Sequence, residues 1–265
     1  MWFRTADVTA TPDTVRIRHE TTSGPECRLR AALLRWNTAG SGAPGATLAG
    51  AAWEGQDGAI LWGWPDEAGQ FSLRPGPGGP EVCSILPPAL SLALTFRRTG
   101  AEMGARTLVV GEGFLARVAR AVALSVGCRV TAVPGRGEET PVERGHPDIV
   151  IETTGERSNL DRAVERCRDW GKVFSMAGAL TSVPLDYYSH VHRRALTLAH
   201  VSERPVLLPG EEDHAERCAV LLAEALRGIT PSQDEALEAQ VLPEETPGRL
   251  ARERSGWGLL RVEEG

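Results

Sequence analysis

Lysine is almost missing from this chain. Of 29 basic residues in 265, Lys172 is the single lysine and 28 are arginine. We read that bias as the codon usage of a GC-rich genome, not as 28 ligands. The arginines do not make the chain basic, because 35 acidic residues leave a formal net charge of −6. Nucleic-acid binding needs a clustered basic surface, so it is not expected here. No run of 18 apolar residues exists; the best stretch, Ile85 to Phe96, is short and holds Pro87 and Pro88, so no membrane span is expected. The five cysteines, at 27, 83, 128, 167 and 218, are odd in number and never spaced C-x-x-C. That suggests neither a disulfide framework nor a zinc knuckle. The N-terminal stretch Met1 to Asp13 lacks the apolar segment of a secretory leader. The expectation is a cytoplasmic protein with free thiols. What remains is ordinary: 42% hydrophobic and 24% charged residues fit a folded chain of one or two domains and exclude a disordered or fibrous one.

Two regions differ in pattern. Residues 1–90 read as β-rich and loop-rich, with short strand candidates at Val15 to Arg18, Cys27 to Arg35, Ala59 to Trp62 and Gln70 to Leu73. Breakers at Gly40 to Gly45 and Pro75 to Pro80 suit an antiparallel barrel or sandwich. After about residue 90 strands alternate with helices. Thr107 to Val110, Arg129 to Val133, Asp148 to Glu152, Lys172 to Met176 and Leu196 to His200 read as strands. Leu115, Val118, Ala119, Val122, Ala123 and Val126 share one helical face, and Leu160, Ala163, Val164 and Cys167 another, with Ser158 as the expected N-cap and Asp161 three residues on. Ala215, Cys218, Ala219, Leu222 and Leu226 mark a third helix. Such alternation means a parallel sheet covered on both faces. The tail reads as a strand at Ala239 to Leu242, a polar helix at Glu245 to Arg254 and a last strand at Leu259 to Val262.

The most informative motif is Gly111-Glu112-Gly113-Phe114-Leu115-Ala116, a G-x-G-x-x-A that joins the strand ending at Val110 to the helix after it. In a dinucleotide-binding unit the first glycine permits the tight turn and the second lets a pyrophosphate approach the backbone. The small third residue packs helix on strand, and the helix amides face the anion. A turn glycine needed only for packing would look the same.

Further segments resemble the medium-chain dehydrogenase/reductase family, of alcohol-dehydrogenase type. They are Leu86 to Gly100 followed by Gly104 to Gly113, Asp148 to Gly155 (similar to D-V-V-I-E-x-x-G), Trp170 to Gly178 (similar to G-G-x-V-V-x-V-G), Pro184 to Asp186 and Arg193 to Leu198. The resemblance implies an α/β protein: a truncated GroES-like β-barrel domain over 1–90, completed by 230–265, and a Rossmann domain over 91–229. It implies NADP or NAD as cofactor. Phe114 and Leu115 would join Gly111, Gly113 and Ala116 at the pyrophosphate, and Thr153, Thr154, Gly155, Ala177 and Gly178 would line the nicotinamide. Small residues demanded by chain reversal are the equal alternative for those last five.

Three departures stand beside the resemblance. Zinc-binding members carry a catalytic Cys and a G-H-E segment, whereas here Asn37 or Thr38 stands near the Cys position and Leu48 to Glu54 holds no His. No catalytic zinc is expected, since that needs about three protein ligands. The acid that grips the adenosine ribose is replaced by Pro134 and Gly135, with Glu138 and Glu139 as weaker substitutes. Arg136 would meet a 2′-phosphate or else is a solvated loop arginine. Only 11 residues, Gly137 to Pro147, precede the next strand, too few for a helix, a strand and a connection. The expected sheet order is therefore 2-1-4-5-6.

Tyr187, Tyr188, His190 and His192 form the densest polar-aromatic cluster. Tyr187 or His190 would supply a proton, or the segment is a packed loop. Trp36, Trp53, Trp62 and Trp64 read as core, and His214 beside Asp213 as a surface pair on a helix start. No Cys–His, G-x-S-x-G or P-loop pattern is evident. Two functions remain open. One is a zinc-independent NAD(P)-dependent oxidoreductase acting on a small carbonyl, alcohol or enone in a biosynthetic pathway. The other is a degenerate homologue without redox activity, serving as a partner subunit or a cofactor-independent protein. A small-molecule substrate and a homodimer or heteromeric protein partner are the expected associations.

Overall fold

The computed structural model describes residues 2–10, 14–21, 27–36, 46–66, 70–133, 145–176, 187–230, 235–242, 246–252 and 257–262. The chain divides into two compact units, Met1–Pro88 with Ala219–Gly265, and Ala89–Cys218. The division falls inside α1 (Pro80–Arg98) and inside α4 (Glu212–Ala225).

The first unit is a β-sheet of ten described strands. From the N-terminal side these are β1 (Trp2–Ala10), β2 (Thr14–Thr21), β3 (Arg28–Trp36), β4 (Ala46–Glu54), β5 (Ile60–Gly63), β6 (Gln70–Ser72) and β7 (Arg74–Pro75). The tail adds β13 (Glu235–Leu242), β14 (Thr246–Arg252) and β15 (Trp257–Val262). The order is β6-β1-β2-β13-β14-β15-β3-β4-β5-β7. Pairing is antiparallel except between β2 and β13, which run parallel. The tail strands thus stand between the N-terminal ones. β14 covers the segment expected to be a polar helix. Its pairing with strands on both sides, β13 and β15, outweighs the weak helical preference of isolated charged residues. The core is aliphatic around two rings: Leu29, Leu34, Leu48 and Leu260 surround Trp53 and Phe71, whose rings meet edge-on at 4.9 Å. Trp53 and Trp62 are fully buried, as the sequence implied.

Helix α1 begins inside the region expected to be β-rich and loop-rich, and the apolar run Ile85 to Phe96 belongs to it. Pro87 and Pro88 sit within the helix and offer no amide to the carbonyls of Cys83 and Ser84. The Ser84 carbonyl faces Gly50 of β4 instead. A Cβ at position 50 would fall against that carbonyl and 2.6 Å from Pro87 Cγ. The glycine hydrogen therefore points at an oxygen that proline has deprived of its helical donor. No helix of the described residues is long and apolar enough to cross a membrane.

The second unit is a parallel sheet: β8 (Arg106–Val110), β9 (Arg129–Val133), β10 (Ile149–Glu152), β11 (Lys172–Ser175) and β12 (Thr197–His200). Its described strands run in the order β12-β11-β10-β8-β9. Between β9 and β10, residues 134–144 lie outside the described set. Helices α2 (Phe114–Ser125) and α3 (Arg157–Arg166) follow β8 and β10, and a π-helical turn spans Tyr187–His192. The apolar stripe predicted for α2 is the buried one, from Leu115 through Ala123. Leu108, Val110, Val150, Val164, Val173 and Val191 form one core cluster, and Phe96 meets Phe174 edge-on at 5.2 Å. α3 starts two residues earlier than expected, with Glu156 in place of Ser158 at the N-cap position.

Gly50→Ala is expected to lower the unfolding free energy by about 1–3 kcal/mol, the usual range for overpacking. Urea denaturation measures it; an unchanged midpoint would refute the close approach of α1 to β4.

Candidate functional site

The carboxyl edge of the parallel sheet is where open α/β sheets present ligands, and the informative motif stands there. β8 ends at Val110, Gly111 and Gly113 both take positive φ (127° and 85°), and α2 starts at Phe114. Gly113 is the N-cap, with ψ −166°, a backbone conformation open almost only to glycine. No side chain caps this helix end, and its first turn holds no acid. Helix starts carry partial positive charge and amides without intrahelical partners.

The role expected for Gly111 is enlarged. A Cβ there would fall on Thr153 Oγ1 and 2.9 Å from Thr154 Cγ2. Thr153 donates to the Val110 carbonyl from both its amide and its hydroxyl, each at 3.0 Å. The end of β10 thus occupies the space that a side chain at 111 would need.

Beyond Thr153 lies a closed polar network. The amide and hydroxyl of Thr154 (2.6 and 2.5 Å) and the amide of Gly155 (3.0 Å) all donate to Glu152 Oε1. Thr154 Oγ1 accepts in turn from the Glu156 amide and from Asn159 Nδ2. Asn159 Nδ2 also reaches Glu156 Oε2 at 3.3 Å. This network leads into α3, whose N-cap position is Glu156 and not the Ser158 the sequence suggested, and no side chain caps that helix end. Burial pushes the Glu152 carboxyl above the ordinary carboxylate range, against the pull of its three donors. Glu152 was not among the residues expected to matter; a lone Glu at the end of an apolar strand was the available signal.

Gly111, Thr153 and Thr154 are therefore in contact, with Gly113, Phe114, Leu115 and Ala116 directly following and Gly155 in the same turn. Ala116 is buried, as its packing role requires. Arg136, Ala177, Gly178, Asn37, Thr38, Pro134, Gly135, Glu138 and Glu139 lie outside the described residues. The described part of β9 ends at Val133, and the strand itself holds no acid.

Tyr187 opens the π-helical turn. Tyr188, exposed, stacks on His192 with ring centroids 5.6 Å apart. Val191 anchors the turn in the core beside Val164 and Cys167. The turn leads into β12 from its N-terminal end, where Arg194 bonds the carbonyls of Val164 and Cys167 at the end of α3. No described contact joins His190 to Gly111 or Thr153.

Two further readings need correction or limits. His214 Nε2 lies 3.3 Å from Cys218 Sγ, one helical turn along α4, a Cys–His pair missed in the sequence. Among the described residues no three His, Cys, Asp or Glu side chains stand together as a metal site. Burial pushes the Cys83 and Cys167 thiols up to about 11, far from the thiolate a metal or a nucleophile requires.

No protein-family model and no curated protein sequence matches the chain. Solved structures do. Galactitol-1-phosphate dehydrogenase from Escherichia coli is 13% identical, covering 84% of this chain and 89% of that one, with a TM-score of 0.55. 2R,3R-butanediol dehydrogenase from Bacillus subtilis is 12% identical over 84% and 88%, with a TM-score of 0.54. YHDH of Escherichia coli K-12, with bound NADPH, is 15% identical over 83% and 87%, with a TM-score of 0.52. The fold is that of the medium-chain dehydrogenases and reductases. At these identities the likeness is one of architecture, and it agrees with the resemblance carried by the strand and glycine motifs.

Gly111→Ala is expected to destabilise the protein by about 2 kcal/mol or more, from positive φ and collision with Thr153. Thr153→Ala in the same chain should recover part of that loss. A double-mutant cycle by thermal unfolding measures the coupling, and strict additivity would refute the contact.

Proposed function

We propose that the second unit binds a dinucleotide and that the chain is a zinc-independent NAD(P)-dependent oxidoreductase acting on a small carbonyl, alcohol or enone in a biosynthetic pathway. The observation that carries this reading is the uncapped start of α2, entered through Gly113 at the carboxyl edge of a parallel sheet. Backbone amides and the helix dipole there suit a pyrophosphate. Gly113, Phe114, Leu115 and Ala116 would hold it, and Gly111 keeps the turn low. Thr153, Thr154 and Gly155, with Ala177 and Gly178, would flank the nicotinamide, which supplies the hydride when bound. Tyr187 or His190 as proton carrier belongs to the same reading.

The adenosine end favours NADP over NAD. β9 brings no acid to a ribose, and Arg136 is the residue we assign to a 2′-phosphate. NADPH bound to a structure of the same fold supports that preference. Among the described strands β12 has a neighbour on one side only, and Leu198 is 41% exposed. We propose a homodimer through that edge, checked by light scattering of the purified protein.

Calorimetric titration with NADPH and then NADH tests the function. Micromolar binding of NADPH, weaker binding of NADH and loss of both in Gly113→Asp are expected. An absence of binding to either would leave the degenerate homologue, a partner subunit or cofactor-independent protein, as the surviving reading. Glu112, exposed between the two glycines, places a negative charge beside the proposed phosphate site. Glu112→Gln is expected to tighten NADPH binding about two- to fivefold at low salt and less at high salt, as for exposed charges.

A further inference from the structure

We propose that Glu152 is a positioning residue for this crevice: as the neutral acid, it holds the turn Thr153–Glu156 against Gly111 through one carboxyl oxygen. The inference rests on the dinucleotide reading for its functional consequence.

Glu152 is the last residue of β10 and is 0% exposed. All three donors of the turn converge on Oε1. Oε2 is equally buried and receives no hydrogen bond among the described residues. Its sheet neighbours are Val110 of β8 and Ser175 of β11, neither of them ionisable. The charged group that acts on it from α3 is Glu156, also an acid. An ionised carboxyl would therefore hold its charge against a second negative group, with one oxygen unsolvated. The neutral acid avoids this. Its carbonyl oxygen keeps the three donors, and the proton occupies the oxygen that has none.

Ionisation has a mechanical consequence. A carboxylate at Oε2 demands water or a donor, which enters only if the turn opens. Thr153 belongs to that turn, and its two bonds to the Val110 carbonyl set the floor beneath Gly111. The crevice should loosen as Glu152 loses its proton. The sign follows from burial raising the folded-state value. The neutral form's advantage is complete below the ordinary carboxylate range and is lost as pH climbs through the raised value.

The test measures NADPH affinity of the full chain at intervals from about pH 5 to 9.5, for wild type, Glu152→Gln and Glu152→Ala, a window that climbs from the ordinary carboxylate range upward. Amide hydrogen-exchange protection at Thr154 and Gly155 is read in the same proteins without nucleotide. Wild type should weaken as pH climbs through the raised value, by up to about tenfold per pH unit for one linked proton. Glu152→Gln should match wild type at the acid end of the window and stay flat, and Glu152→Ala should be weak throughout. An equal slope in wild type and Glu152→Gln, or a flat wild type, overturns the proposal. If wild type binds no NADPH at any pH, the dinucleotide reading fails on its own. Protection then decides: a fall with pH in wild type but not in Glu152→Gln supports the positioning role, and the same profile in both refutes it. Should Glu152→Ala not fold, the glutamine variant carries the comparison.

Discussion

The approach of Thr153 to Gly111 is the contact around which the second unit is arranged. Adjacent parallel strands end here together, Glu152 opposite Val110, and the chain leaves each strand at once in a different direction. Both exits need space, and one glycine supplies it. Thr153 fills that space and ties itself to the Val110 carbonyl twice. The β8–α2 turn is thereby held low, so α2 starts immediately above the sheet edge. A helix start so placed sets its amides toward the crevice and not toward solvent at large.

The same contact changes what the glycine motif signifies. Gly111 is required by packing against Thr153, and Gly113 by its own backbone conformation. Neither glycine alone implies a ligand. The weight of the cofactor reading falls instead on the uncapped first turn of α2. Before α3 the network of Thr154, Glu156 and Asn159 bonds the Glu156 amide and the Asn159 side chain. Neither helix start on this sheet edge carries a side-chain cap; they differ in that α2 is entered through a glycine at positive φ and α3 through an extended Glu156.

Much of this was legible in the sequence because strands and amphipathic helices impose periods. Val109 and Val110 before the glycines, and the stripe from Leu115 to Ala123, identify β8 and α2 without tertiary information. The failures have physical causes. Pro87 and Pro88 argue against a helix interior by local rules, yet α1 runs through them, with Gly50 packed against the Ser84 carbonyl left without its donor. Thr246–Arg252 looks helical by composition but joins two neighbouring strands, a demand that no local pattern records. Small Ala and Gly residues in β4 gave little β signal, though the strand is buried without a break from Leu48 to Trp53. The Thr154 network was illegible for another reason: hydroxyl and carboxyl partners are chosen by a turn whose shape depends on Gly111, outside the segment itself.

Glu152 shows how far a fold can favour an arrangement that local chemistry opposes. A buried acid with one unbonded oxygen is costly, and an amide or an apolar residue would remove the charge. Yet an apolar residue would leave the Thr154 and Gly155 amides and the Thr154 hydroxyl without their shared acceptor. Three unmet donors cost more than one uncharged carboxyl that retains its proton, because each buried group loses its hydration separately. The neutral acid is therefore the less costly of the two alternatives. It also makes the closed turn and the uncapped helix start parts of one device, since the bonds that fix Thr153 are the ones that keep Gly111, and with it the first turn of α2, in place.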